Sequence, residues 1–160
     1  MPPLARRDVR NLATITAAGA IPSLVQLLGP SSTVYVQQNA AGILSNLACI
    51  ADNKVKIAAA GAIPPLVLLL GPGPSVEVQQ FAAGALYLLV HHADNQVTIV
   101  AAGAIPPLVL LPRPGSDDLP KEFAARALQL LGRSNAENHA AIAAASASAG
   151  VDVLEKMERL

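Results

Sequence analysis

The side chains best suited to chemistry are few: the adjacent pair His91-His92, a lone His139, the single Cys49, and the carboxylates Asp52, Asp94, Asp117 and Asp118. Two histidines could hold a metal or move a proton. Neighbours on a helix point about 100° apart, however, and cannot share an ion as an i, i+4 pair can. His92 suits a helix end, where a cation complements the dipole, and His139 reads as a surface residue. A cysteine becomes a nucleophile beside a base, but Cys49 has no such neighbour in its own segment and reads as an ordinary groove or semi-buried thiol. Asp52 and Asp94 each stand just before an asparagine, Asn53 or Asn95, in the same local setting. That regularity points to caps on helices rather than to acid–base work. Asp117-Asp118 likewise reads as a helix start. The Gly-Pro-Gly-Pro run at 71–74 lacks the Gly-Lys-Ser/Thr that completes a phosphate loop. No catalytic set emerges, so the expectation is a protein that is not an enzyme and holds no metal or cofactor.

The interval from Asp52 to Asp94 governs the whole chain. AGAIP occurs at 18–22, 60–64 and 102–106. Asn11, Asn53 and Asn95 precede the three motif glycines by the same eight positions. Leu24-Val25, Leu66-Val67 and Leu108-Val109 align, as do Val36-Gln37-Gln38, Val78-Gln79-Gln80 and Pro120-Lys121-Glu122. Leu44, Leu86 and Leu128 follow in register. Self-similarity with a period in this range marks a stacked-repeat architecture.

Each unit reads as three helices. The first stops at Gly19, Gly61 or Gly103, since glycine tolerates the left-handed conformation that closes a helix. Pro22, Pro64 and Pro106 follow three residues later, and proline suits a first helical turn. The apolar second helix (LVQLL, LVLLL, LVLL) stops at GP, GPGP or PRPG. Ser32, Ser75 and Asp117 or Asp118 are the expected caps of the third. The third is the longest, spanning about 33–50, 75–92 and 118–132, with apolar residues at three- and four-residue steps. One unit cannot bury such faces alone, and stacking joins them into one core. The expected division is 8–51, 52–93, 94–134 and a partial fourth copy over 135–160. That copy departs from register: Gly150 comes too late to stay in phase with Gly103, and AAIAAASASAG fills the gap. The charged helix GVDVLEKMERL after it serves either as a polar cap or as a stretch of a longer protein.

Composition narrows the partner class. Lys+Arg and Asp+Glu balance at 11 each, which disfavours nucleic acid and anionic membranes. The greasy runs IAAAGAIPPLVLLLGPG and TIVAAGAIPPLVLLP are broken by Gly and Pro-Pro and fall short of the roughly 20 residues of a span. MPPLARRDVRN has no apolar leader core. With one cysteine, a cytoplasmic or nuclear location is expected.

The pattern NKVKIAAAGAIPPLVLLL–SVEVQQFAAGAL resembles the armadillo repeat, and the resemblance runs nearly the length of the chain. HEAT repeats are the nearest rival, but the in-register glycine between helices one and two favours armadillo. The resemblance implies an all-α, right-handed superhelical solenoid whose third helices line a concave groove. Helical spacing then says which side chains face it. At about 100° per residue, those within roughly 60° of Gly42 are Tyr35, Gln38, Asn39, Ser45, Asn46 and Cys49. The second copy contributes Glu77, Gln80, Phe81, Gly84, Tyr87, Leu88 and His91. The third contributes Leu119, Glu122, Phe123, Arg126, Gln129, Leu130 and Arg133. All four aromatics of the chain, two Tyr and two Phe, fall on this arc, and aromatics are enriched at interface hot spots. Phe81 and Phe123, at the edge of the arc, have a second reading as packing between neighbouring third helices.

Armadillo proteins that carry nuclear-import cargo hold basic signals with a Trp and an Asn one turn apart on each long helix. The positions matching that Trp are Gly42, Gly84 and Arg126, and those matching the Asn are Asn46, Leu88 and Leu130. Only Asn46 survives, so that cargo class is rejected. Arg126, Arg133 and His91 instead favour an extended peptide with apolar anchors and an acidic end. The expected function is a protein-binding scaffold, with self-association open to it should either end of the apolar stack fray. The alternatives are a HEAT-like solenoid enzyme, whose metal-binding His-Glu pairs are missing, and a piece of a larger ubiquitin-ligase-like or signalling protein.

Overall fold

The structure, a computed structural model, describes residues 3–111 and 118–159. Its helices run in the expected triplets. The first unit is α1 (Pro3–Ala17), α2 (Ala20–Gln26) and α3 (Val34–Leu47). The second is α4 (Ala51–Ala59), α5 (Ile63–Leu68) and α6 (Val76–Leu89), and the third is α7 (Ala93–Ala101), α8 (Ile105–Leu110) and α9 (Asp118–Ser134). Two more helices follow, α10 (Ala136–Ala149) and α11 (Val153–Glu158).

AGAIP is a stop joined to a start. Gly19, Gly61 and Gly103 sit at φ 74°, 81° and 76°. A Cβ at any of them would meet nothing within 4 Å, so backbone conformation and not space demands glycine. The turn is locked by the reverse bond Ala62 N–H to Ile57 O at 3.3 Å, repeated as Ala104 N–H to Ile99 O at 3.3 Å. This is the glycine-terminated helix end in which the residue after the glycine reaches back five positions. Pro64 and Pro106 stand in the first turns of α5 and α8, where no donor is required. The fourth copy keeps the device although displaced: Gly150 has φ 65° and Val151 N–H bonds Ser146 O at 3.1 Å.

The periodic amides also have structural work. Asn53 Nδ2 donates to Leu47 O (3.0 Å) and to Thr16 Oγ1 (2.9 Å). Asn95 Nδ2 donates to Leu89 O and to Lys54 O, both at 3.2 Å. Asn138 Nδ2 reaches Leu131 O at 3.2 Å. The carbonyls of Leu47, Leu89 and Leu131 are themselves in register from copy to copy, so each asparagine ties off the end of the preceding long helix. Gln37 and Gln79 do the same for the second helices, bonding Gly29 O at 2.9 Å and Gly71 O at 2.8 Å. These groups satisfy carbonyls that a helix terminus otherwise leaves orphaned.

Three expectations about helix starts need correction. Thr33, not Ser32, caps α3: its hydroxyl accepts from Val36 N–H at 3.3 Å, while Ser32 is held in the preceding turn by Gly29 O. Ser75, at the place in the second copy that Thr33 holds in the first, caps α6 as expected. Asp52 and Asp94 are not caps. The cap positions are Ile50 and His92, neither with a capping side-chain bond, and each aspartate stands inside the first turn. There its charge still complements the helix dipole. His92 therefore stands at the start of α7 rather than in the last turn of a helix, and its buried Nδ1 has no hydrogen-bond partner among the described residues. Asp117 and the PRPG stretch lie outside the described residues, and Asp118 begins α9.

The core is aliphatic. Leu44, Leu47, Leu66, Leu86, Leu89, Leu108 and Leu128 are each fully buried, and Ala41, Ala82, Ala83 and Ala124 let the long helices approach closely. Among the described residues no helix is long and apolar enough to cross a membrane.

Candidate functional site

The long helices α3, α6 and α9 stand side by side, each packed on the next. The arc drawn from helical spacing is a real surface on them. Every arc residue is half-buried or exposed except Gly84, whereas Ala41, Leu44 and Leu47 on the opposite side are at 0% exposure.

On α3, Tyr35 is 73% exposed and takes part in no ring contact among the described residues. Asn39 is turned back on its own helix, with Nδ2 donating to Tyr35 O at 2.8 Å. Cys49 is exposed, its thiol 3.9 Å from Ser45 O. Gln38, Asn46 and, on α6, Gln80 form no side-chain hydrogen bond among the described residues; Asn46 is exposed and the two glutamines are half-buried.

The two phenylalanines cross from one rib to the next. A Cβ on Gly42 would lie 3.6 Å from the ring of Phe81, and one on Gly84 would lie 3.5 Å from the ring of Phe123. Each Phe is thus seated where its neighbour lacks a side chain, half-buried against the core. Their packing role and their place on the arc coexist. Both long-helix glycines have ordinary helical backbone, so packing is what uses them.

Between α6 and α9 the side chains converge. Tyr87 stacks on Phe123, centroids 5.9 Å apart at 25°, and meets His91 edge-on at 5.0 Å. His91 Nδ1 donates to Tyr87 O at 2.8 Å, since a carbonyl can only accept. Arg126 pairs with Glu122 at 2.6 Å, both side chains a little over two-fifths exposed. Gln129 Nε2 donates to Met157 O at 2.7 Å, fixing α11 to α9. Tyr87, His91, Arg126, Gln129 and Leu130 surround a cleft of about 220 Å³. Leu88 and Leu130 are both half-buried, and Leu130 is the one of the two that lines the cleft. Glu77, at the start of α6, has its carboxyl held below the usual range by its own backbone N–H and then by the Ser75 hydroxyl.

A second cleft of about 230 Å³ adjoins the first through Gln129, lined also by Gly132, Arg133, His139, Leu154 and Met157. Helical spacing named Gln129 and Arg133 and missed the rest. His139 is exposed, as expected, but α10 sets it beside Gly132 at the end of the long helix. The register slip of the fourth copy hid that placement, because no aligned residue in copies one to three marks it. Among the described residues no group of three or more His, Cys, Asp or Glu side chains could hold a metal.

The Armadillo/beta-catenin-like repeat family model matches residues 8–49 and 51–91. No curated protein sequence matches the chain. Among solved structures it resembles an engineered protein at 34% identity and TM-score 0.74, covering 85% of this chain and 56% of that one. It also resembles an armadillo repeat protein computationally designed for modular peptide recognition, at 29% identity and TM-score 0.76, over 86% of this chain and 58% of that one. A third is a designed armadillo repeat protein in complex with the peptide (KR)4, at 28% identity and TM-score 0.75, over 86% and 57%. The chain thus spans somewhat over half the length of these proteins. With two family matches in tandem that together cover more than half of it, the chain belongs to the Armadillo/beta-catenin-like repeat family.

Proposed function

We propose that this protein is a non-catalytic scaffold that binds an extended segment of another protein along the arc of α3, α6 and α9. The observation that carries the reading is a division of labour. The fully buried core contains no aromatic side chain. The exposed or half-buried rings of Tyr35, Phe81, Tyr87 and Phe123 all stand on the arc, among the unpartnered amides of Gln38, Asn46 and Gln80. An amide offers both a donor and an acceptor, which suits a peptide main chain. Rigid aromatic surface supplies contact area at low entropic cost. The designed relatives, one made for peptide recognition and one bound to a basic peptide, support the mode of binding. The basic peptide bound by the second does not transfer readily to this chain. Arg126 and Arg133 stand on the third rib, and Gly42 and Gly84 leave no shelf of their own for a lysine stem. The segment favoured here has apolar anchors and an acidic end.

The test is a peptide selected by display on the purified protein and titrated calorimetrically. Tyr87→Ala with Arg126→Ala should weaken it at least tenfold, the scale of interface hot spots. Leu68→Ala, at an exposed position on α5 and not on a rib, serves as the control. Equal affinity for the double variant, with unchanged helical circular dichroism, overturns the reading.

A further inference from the structure

The cleft between α6 and α9 has a mostly polar wall, whereas the neighbouring cleft beside α11 is lined almost wholly by apolar atoms. Gln129 lines both, so its amide head belongs to the polar one. The hydrogen bonds already made fix what each group still offers. His91 Nδ1 donates to Tyr87 O at 2.8 Å. A neutral imidazole carries a single N–H, so Nε2 is left as a bare acceptor. Gln129 Nε2 donates to Met157 O at 2.7 Å, which leaves Oε1 as a second acceptor beside one remaining N–H. The Tyr87 hydroxyl has no hydrogen-bond partner among the described residues and can donate or accept. Arg126 supplies donors only, and one of its terminal nitrogens is held by Glu122.

These groups discriminate among side chains. A carboxylate only accepts. It would face two acceptors, His91 Nε2 and Gln129 Oε1, beside a guanidinium whose charge the Glu122 carboxylate already balances. An ammonium would meet that guanidinium. An apolar side chain would strip water from the polar wall and return no hydrogen bond. A primary carboxamide has two N–H donors and a carbonyl with two lone pairs. Its N–H pair matches His91 Nε2 and Gln129 Oε1, and its carbonyl matches the Tyr87 hydroxyl and Arg126. The cleft volume of about 220 Å³ exceeds the about 150 Å³ in which a protein cavity holds benzene, which is room for such a head and its methylenes. We propose that the cleft is a carboxamide subsite: it takes the side chain of a Gln or Asn in the bound segment. The inference rests on the groove reading for the rest of the segment. It leaves an acidic residue of that segment to Arg133, which forms no hydrogen bond or ion pair among the described residues.

The probe is N-acetyl-glutamine N-methylamide, titrated at about pH 8, where an imidazole is neutral, into protein labelled with ¹⁵N-histidine. The chain has three His, so the His91 signals are assigned by the variant His91→Gln. The free protein should show the His91 proton on Nδ1, and the probe should shift Nε2 saturably. The glutamate and methionine analogues, close to glutamine in size, should give less than a tenth of that shift at the same concentration. Tyr87→Phe keeps the ring and removes only the hydroxyl, and should weaken the probe at least threefold. Leu68→Ala should leave it unchanged. No saturable shift, an equal response to either analogue, or indifference to Tyr87→Phe each overturns the subsite. The display-selected peptides should carry a Gln or Asn whose change to Glu or Asp weakens binding at least tenfold, and a set lacking both overturns it too. The groove is judged separately, by whether those peptides lose affinity for the Tyr87→Ala, Arg126→Ala variant, so either proposal can fail while the other stands.

Discussion

Two glycines one helix apart should respond oppositely to the same substitution. Gly42 lies inside α3 with helical backbone, and a Cβ there meets the Phe81 ring at 3.6 Å, an ordinary contact. Alanine exceeds glycine in helix propensity by about 0.8–1.0 kcal/mol. Nothing must move, so Gly42→Ala should stabilise the protein by about 0.5–1 kcal/mol. Gly61 has φ 81° and open space around it. An alanine forced into that conformation costs about 1–2 kcal/mol. The two variants should therefore differ by about 2 kcal/mol, or some 4–8 °C in Tm for a chain of this size. Gly84→Ala should fall between them near zero, because its Cβ would come within 3.3 Å of Ser45 Oγ and that hydroxyl must rotate away. Guanidinium denaturation followed by circular dichroism measures all three, with m-values checking that unfolding stays cooperative. A Gly61→Ala protein as stable as the parent, or a Gly42→Ala protein destabilised by about 1 kcal/mol or more, would refute both the turn assignment and the seating of Phe81.

Thr33→Ala should cost about 1 kcal/mol through the lost cap, while Ser32→Ala should change stability by less than about 0.5 kcal/mol; equal effects in denaturation would restore Ser32 as the cap. Asn95→Ala should destabilise by about 1–3 kcal/mol, since it removes a buried donor from two carbonyls, and a neutral result would mean that water replaces the amide. The depressed carboxyl of Glu77 favours the folded state above its unfolded value, and that contribution is lost as pH falls through the folded value. An NMR titration should place its midpoint below 4.5, and a midpoint above 4.5 would refute the Ser75 and backbone contacts.

Local chemistry is the legible part of this fold. The stop and start in AGAIP depend on a glycine and a proline three positions apart, whose backbone preferences need no tertiary context. Helical spacing is nearly as informative, because the arc and the core differ only by rotation about an axis. What the sequence hides is reach. The asparagine period is visible, but its partners are carbonyls at the end of the preceding helix, six or seven residues back across a turn. Gln37 and Gln79 conceal their role for the same reason. Ser32 has the chemistry of a cap, although the register from Ser75 leads to Thr33. The aspartates have it too, but the true cap positions, Ile50 and His92, bear no side-chain cap bond. The seats of Phe81 and Phe123 depend on how adjacent ribs align, which no single helix encodes. In the fourth copy an alanine-rich run without breakers extends α10 to 14 residues, against nine in α4 and α7, and carries the pattern out of phase.

The joint between ribs is a socket and a plug: a bare glycine on one helix, a phenyl ring from the next. It is made at Gly42 and again at Gly84, but the third socket is filled by Arg126, already paired with Glu122. Another rib of the same design could not plug into α9. Repeating the same plug at α9 would require Arg126→Gly.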